Sequence, residues 1–233
     1  KAIEVFLPET DVAIELGGED AKITYFQGGI EQRMNGPCAG GTGSFIDQMA
    51  ALLQTDATGL NNLAKNHKTI YPIAARCGVF AKTDVQPLLN QGAAKEDIAA
   101  SVLQAVVIQT ISGLACGRPI KGNVAFLGGP LHFLSELRNR FIETLELKDE
   151  EIIFPNNSEV FIALGASLYS IEETPLQFLE LRNKIKNVDV SSLSESETLK
   201  PLFENEEELR KFIQRHEKNS VHRKEISELK GNV

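Results

Sequence analysis

The chain has 233 residues, enough for one large domain or for one domain with an appendage. Its apolar share of 42% and charged share of 24% are those of an ordinary globular chain, and a net charge of −8 argues against a nucleic-acid surface, which needs a basic patch. An odd count of 3 cysteines excludes a secreted disulfide framework and fits a reducing cytoplasm.

Taken in order, Asp11 to Leu16 reads as a strand that stops at Gly17-Gly18. Ala21 to Phe26 is a second strand, after which Gly28-Gly29 turns into Ile30 to Met34. The Gly17-Gly18 turn is flanked by Glu15, Glu19 and Asp20, the pattern of a phosphate loop. Glycines there let backbone amides approach the anion, and a carboxylate holds Mg²⁺ or orders a water.

The next stretch, Asn35-Gly36-Pro37-Cys38-Ala39-Gly40-Gly41-Thr42-Gly43, leads into a helical pattern at Phe45, Ile46, Met49, Leu52 and Leu53. Ala75-Arg76-Cys77-Gly78-Val79-Phe80 echoes it and opens a second helical run to Leu89. Each cysteine is thereby expected at the mouth of a helix, where the macrodipole favours a thiolate, the form a metal or iron–sulfur cluster requires. The glycines after Cys38 are expected to leave amides open to an anionic ligand. Two thiolates do not complete a four-thiolate site, so a second chain or module has to supply the rest. The plainer alternative is that both cysteines are inert packing.

Asp56-Ala57-Thr58 precedes a short helix, Gly59 to Ala64, and Lys95-Glu96-Asp97 opens a long one. The uncharged run Ile98 to Cys116 has the length to cross a membrane, but Ser101, Gln104, Gln109, Thr110 and Ser112 mark it as a buried helix of a globular domain. Val124 to Leu127 is an apolar strand stopping at Gly128-Gly129-Pro130. Helix Leu131 to Leu145, strand Ile152 to Phe154 and helix Val160 to Ile171 complete a β–α–β–α series, the signature of an α/β layer. Ligands bind such sheets where strands end and glycines open the turn, so Gly128-Gly129 is a candidate nucleotide contact, and Gly165 marks close helix packing.

Residues 172–233 read as a charged connector or docking tail. It comprises a helix from Pro175 to Lys186, a linker from Ser191 to Ser196 and an amphipathic helix from Phe203 to Glu217. In that last helix Asn205 and Glu208 are spaced as an N-cap and its partner, and His216 and His222 are expected on solvated faces. Because the chain starts at Lys1 as if already inside a domain, it reads as part of something longer.

Together, Ile14-Glu15-Leu16-Gly17-Gly18-Glu19-Asp20-Ala21-Lys22, Cys38-Ala39-Gly40-Gly41-Thr42-Gly43, Cys77-Gly78-Val79-Phe80-Ala81 and Phe126-Leu127-Gly128-Gly129 resemble one family. It is that of the ATP-dependent activators of 2-hydroxyacyl-CoA dehydratases and the ATPase subunits of benzoyl-CoA reductase. Within it, the resemblance is nearest to large CoA-substrate-specific activases that join two such modules in tandem. It extends over about residues 11–171.

The resemblance implies an α/β fold: a ribonuclease-H-like lobe of the acetate kinase, sugar kinase, heat-shock chaperone and actin superfamily. Residues 1–171 would be the second-lobe portion of such an ATPase domain, with a helical insertion. It further implies ATP or ADP with Mg²⁺ and a 4Fe-4S cluster shared by two modules, of a homodimer or a tandem pair, with Cys38 and Cys77 as this module's ligands. Gly17 and Gly18 would cradle phosphate, with Glu15 and Asp20 as the catalytic carboxylates. Gly128 and Gly129 would line the adenosine side, and Gly40, Gly41, Thr42 and Gly43 would lie near nucleotide and cluster alike. The implied work is an ATP-driven change of angle between the cluster-facing helices, which passes a low-potential electron to a dehydratase-like partner, with no role for nucleic acid or membrane. The first lobe, with its Asp-x-Gly loop, would lie upstream of Lys1, so this chain alone is not expected to turn over ATP. Two positions depart from the family pattern: Glu15 stands where Asp is usual, and Pro130-Leu131-His132 replaces the usual residues after the second glycine pair. The alternatives are a kinase-like phosphotransferase of the same superfamily and a non-catalytic scaffold.

Overall fold

Two apolar runs without alternation, Val12–Leu16 (β1) and Val124–Leu127 (β4), pair in parallel at the centre of a five-stranded sheet. Strand β2 (Ala21–Tyr25) returns antiparallel to β1, β3 (Glu31–Met34) antiparallel to β2, and the short β5 (Ile152–Ile153) runs parallel to β4. The strand order is β3-β2-β1-β4-β5, a mixed sheet. The computed structural model describes residues 1–74, 78–172, 174–188 and 201–220, in two units, Lys1–Pro175 and Leu176–Val233.

Side-chain alternation divides the first unit into two cores. Val12, Ile14 and Leu16 of β1 face one side with Val124 and Phe126 of β4. There they meet helices that include α2 (Gly43–Leu52), α3 (Ala57–Ala64), α5 (Lys95–Thr110) and α7 (Ser135–Leu145). Ala13, Ala125 and Leu127 face the other side, under α1 (Ala2–Phe6) and α8 (Phe161–Glu172). Gly165 of α8 lies against α1, where an added Cβ would come within 3.5 Å of the Ala2 nitrogen. That is the close packing expected of it.

Among the described residues, Lys95–Ala115, which is α5 with the turn that follows it, is the run long and apolar enough to cross a membrane; 67% of that window is buried inside the protein, where Ile98, Val102, Leu103, Val106 and Val107 anchor the larger core. Its Asp97 carboxylate accepts the Lys68 and Thr69 amides (2.6 and 3.0 Å), and Ser101 Oγ accepts the Tyr71 amide (2.7 Å), strapping residues 68–71 along it. After Thr110 the helix widens into a π-turn, Ile111–Ala115, closed by Cys116 in the left-handed region (φ 47°).

The helix expected from Leu131 to Leu145 is two pieces, α6 (Gly129–Phe133) and α7, with Leu134 extended between them. No Gly or Pro causes the break. Asn61 Oδ1 of α3 accepts the Glu136 amide at 2.9 Å, and Arg138 Nη1 donates to the carbonyls of Leu131 and His132, so tertiary partners replace the local ladder.

In the second unit, α9 (Phe178–Lys186) and α10 (Glu206–Glu217) carry exposed apolar residues. Asn205 caps α10 by accepting the Glu208 amide at 3.0 Å. His216 Nδ1 lies 2.8 Å from the Phe212 carbonyl. The linker from Ser191 to Ser196 and His222 lie outside the described residues.

Candidate functional site

Strands β1 and β4 run side by side in register Glu15↔Leu127, so the two glycine pairs that follow them emerge at the same sheet edge. The β1–β2 turn reverses tightly, with the Gly17 amide donating to the Asp20 carbonyl at 2.7 Å. Gly128 adopts φ +90°, and a Cβ there would lie 2.8 Å from the Leu16 carbonyl carbon. Only glycine permits both the conformation and the approach. Its amide donates to the Ser158 carbonyl at 2.9 Å, tying the turn to the entry of α8.

Between the turns lies a cleft of about 220 Å³ lined by Glu15, Gly17, Asp20, Lys22, Gly128, Gly129, Ser158, Glu159, Phe161 and Ile162. A second hollow of about 320 Å³ adjoins it between α1 and α8, sharing Glu15, Phe161 and Ile162. Glu15 pairs with Lys22 across the strands at 3.3 Å. Burial nonetheless pushes its carboxyl above the ordinary glutamate range, against the opposing pull of the Lys22 charge. At the outer rim His132 Nδ1 sits 2.8 Å from Ser158 Oγ and 3.0 Å from Glu159 Oε2. Beside it the Arg138 guanidinium stacks over the Phe154 ring at 3.9 Å.

Of the expected site residues, Glu15, Gly17, Asp20, Gly128 and Gly129 thus converge on one cleft. Gly40 lines a different one, about 180 Å³, with Cys38, Asn35, Gln109 and Thr110. The amide of Gly43, expected to be open to an anion, instead donates to the Gly17 carbonyl (3.0 Å), and that of Ser44 donates to the Gly18 carbonyl (2.7 Å). A Cβ on Gly43 would lie 3.3 Å from Gly17 O, Gly18 Cα and Pro130 Cγ, so the start of α2 is wedged between the two glycine turns. Thr42 is fully buried, and its hydroxyl donates to the Ala39 carbonyl.

Cys38 is exposed and stands four residues before Thr42, the N-cap of α2, so it is not at the helix mouth as expected. The amide facing its sulfur is that of Gly40, at 3.5 Å, in the turn itself. Cys77 lies outside the described residues. Immediately after it, α4 (Gly78–Asn90) begins against α2, with a Cβ on Gly78 placed 3.2 Å from Gln48 Oε1. The turn of Cys38 thus leads into α2, and α4 packs against the middle of the same helix. Cys116 is separate, its sulfur donating to the Gly113 carbonyl at 3.4 Å. Among the described residues, no group of three or more His, Cys, Asp and Glu side chains is placed to hold a metal ion. Sequence reading missed Lys22, Ser158 and Glu159 as cleft residues; only Lys22, inside the quoted Gly-Gly-Glu-Asp-Ala-Lys run, carried a signal.

The chain was compared with known proteins. The 2-hydroxyisocaproyl-CoA dehydratase activator of Clostridioides difficile is 30% identical over 191 residues, 81% of this chain and 68% of the relative. The solved structure of that protein's class from Clostridium difficile, with ADPNP bound, superposes with a TM-score of 0.65 at 28% identity, covering 86% of this chain and 68% of the other. Component A of the Acidaminococcus fermentans (R)-2-hydroxyglutaryl-CoA dehydratase gives a TM-score of 0.65 at 30% identity, covering 72% and 64%. This chain thus spans about two thirds of the length of these relatives. Residues 1–170 match the BadF/BadG/BcrA/BcrD ATPase family, and the chain belongs to it.

Proposed function

We propose that this chain is the nucleotide-binding lobe of an ATP-dependent activator that passes a low-potential electron to a cytoplasmic CoA-ester dehydratase or reductase. The observation that carries the reading is the convergence of Gly17 and Gly128-Gly129 on one cleft whose phosphate-side turn is hydrogen-bonded to the helix following Cys38. The relatives named as dehydratase activators, and the ADPNP in one of them, support it. In this reading the turn of Gly17-Gly18 holds phosphate, and Gly128-Gly129 lines the adenosine side. Glu15 and Asp20, in the same cleft, are placed to order Mg²⁺ or a water.

Cys38 and Cys77 would hold one half of a 4Fe-4S cluster, the second pair of thiolates coming from a partner copy or a tandem sister module. The donor set suits it: an exposed thiol in a glycine-rich turn, and a second cysteine directly ahead of a helix packed on the same element. When bound, such a cluster supplies a one-electron donor. The chain's own contribution is to join the nucleotide turn to the cysteine-bearing segment. The domain boundary expected near residue 171 belongs to this reading too, with residues 172–233 as connector or docking tail.

Anaerobic reconstitution with ferrous iron and sulfide tests the ligand assignment. Wild type and Cys116→Ala should retain about four iron atoms per two modules, and Cys38→Ala and Cys77→Ala none. Loss of iron from Cys116→Ala alone would overturn it.

A further inference from the structure

Asn35 follows β3 and spends its whole side chain on backbone. Its Oδ1 accepts the Ala21 amide at 2.8 Å, and its Nδ2 donates to the carbonyls of Glu19 and Cys38, both at 3.0 Å. The main chain adds an Asn35 amide to Ala21 carbonyl bond at 3.1 Å. One half-buried carboxamide thus grips the nucleotide-side turn at Glu19 and the cysteine turn at Cys38 with the same NH₂ group. At the other end of that turn, the bonds of Gly43 and Ser44 to Gly17 and Gly18 form a second tie. Residues 38–44 are therefore fastened at both ends to the loop that borders the cleft.

We propose that Asn35 is a positioning residue, through which occupancy of the cleft by a nucleotide resets the turn that carries Cys38. The proposal rests on the reading of that cleft as the nucleotide site. One planar carboxamide, fixed on its other side by the Ala21 amide, donates to both carbonyls and holds them at a set separation, so the Glu19 and Cys38 carbonyls move together. Any ligand that shifts the Gly17–Asp20 turn must then change the setting of Cys38.

The test uses the cluster-free, reduced chain. Affinity for a fluorescent ADP with Mg²⁺ is measured first. The rate of Cys38 alkylation by iodoacetamide, read by peptide mass spectrometry, is then compared with and without saturating nucleotide. In wild type the nucleotide should change that rate about fivefold or more, the lower range of measured couplings. Asn35→Asp keeps the acceptor for Ala21 but replaces the donor with an oxygen that repels both carbonyls. It should bind nucleotide within about threefold of wild type while its two alkylation rates become equal. Asn35→Ala should also lose the rate difference, and serves if the Asp variant does not fold.

A merely structural Asn35 would raise both rates in parallel and leave their ratio intact, which would overturn the proposal. Nucleotide binding with no change at Cys38 in wild type would equally overturn it. Absence of nucleotide binding by wild type would instead refute the site reading beneath it.

Discussion

The adjacent glycines Gly128 and Gly129 should respond to the same substitution in opposite ways. At Gly128, φ is +90° and an added Cβ meets the Leu16 carbonyl carbon at 2.8 Å. The conformation costs about 1–2 kcal/mol for any L side chain. Relieving the collision against a buried strand end adds about 1–3 kcal/mol. Gly128→Ala should therefore destabilise the first unit by about 2–5 kcal/mol, a large part of a typical margin, and lower Tm on the order of 10 °C. A Cβ on Gly129 meets nothing within 4 Å, and its φ is not positive. Gly129→Ala should leave stability unchanged or raise it by up to about 1 kcal/mol. Because Gly129 lines the cleft, however, its methyl should weaken fluorescent-ADP binding about tenfold. Urea denaturation and equilibrium binding on the two variants separate the effects. Equal stability of Gly128→Ala and wild type would refute the steric argument, and unaltered affinity in Gly129→Ala would refute the placement of nucleotide beside it.

Asn61→Ala should destabilise by about 1 kcal/mol, the usual worth of a helix cap, because it removes the acceptor for Glu136 that starts α7; urea denaturation measures it. Glu15 has its carboxyl raised by burial, so the folded state binds the proton more tightly than the unfolded chain. Its contribution to stability should grow as pH falls from 7 through that raised pKa, and Glu15→Gln should flatten this part of the stability-versus-pH curve. Asp97 has the opposite sign: the Lys68 and Thr69 amides lower its pKa, so its stabilisation is present above the ordinary aspartate range and disappears as pH drops through the lowered value. Thermal melts of Asp97→Asn should lose that acid sensitivity.

What could be read from the sequence was local. The apolar runs of β1 and β4, the glycine pairs that stop them, and Asp56 at the start of α3 all declare themselves within a few residues. Asp56 does cap, accepting the Gly59 amide at 2.7 Å. The parts that escaped depend on partners distant in the chain. Asn35 reads as a loop residue until topology brings Glu19 and Cys38 to it. The break at Leu134 has no signal between Leu131 and Leu145, since its cause is Asn61, more than seventy positions upstream. Cys38 was expected at a helix mouth because helical periodicity locates the helix body well and its first residue poorly. Ser158 and Glu159 enter the cleft from beyond a two-residue strand whose pairing no local pattern announces.

The two glycine pairs divide their labour in the same way. In each, the first glycine lies close against the protein's own backbone and the second faces open space. Gly17 sits where a Cβ would come 3.3 Å from the Asp20 carbonyl, and Gly128 where it would meet that of Leu16; Gly18 and Gly129 have nothing within 4 Å. The pair at the end of β1 puts its open residue second, and so does the pair at the end of β4. A side chain at Gly128 would break the turn and one at Gly17 would press on the Asp20 carbonyl, while one at Gly18 or Gly129 would occupy space the fold leaves unused. Contacts within the chain therefore bear on Gly128 strongly, on Gly17 mildly, and on Gly18 and Gly129 not at all. In the proposed reading, Gly18 and Gly129 keep the backbone open to a nucleotide where β1 and β4 end together.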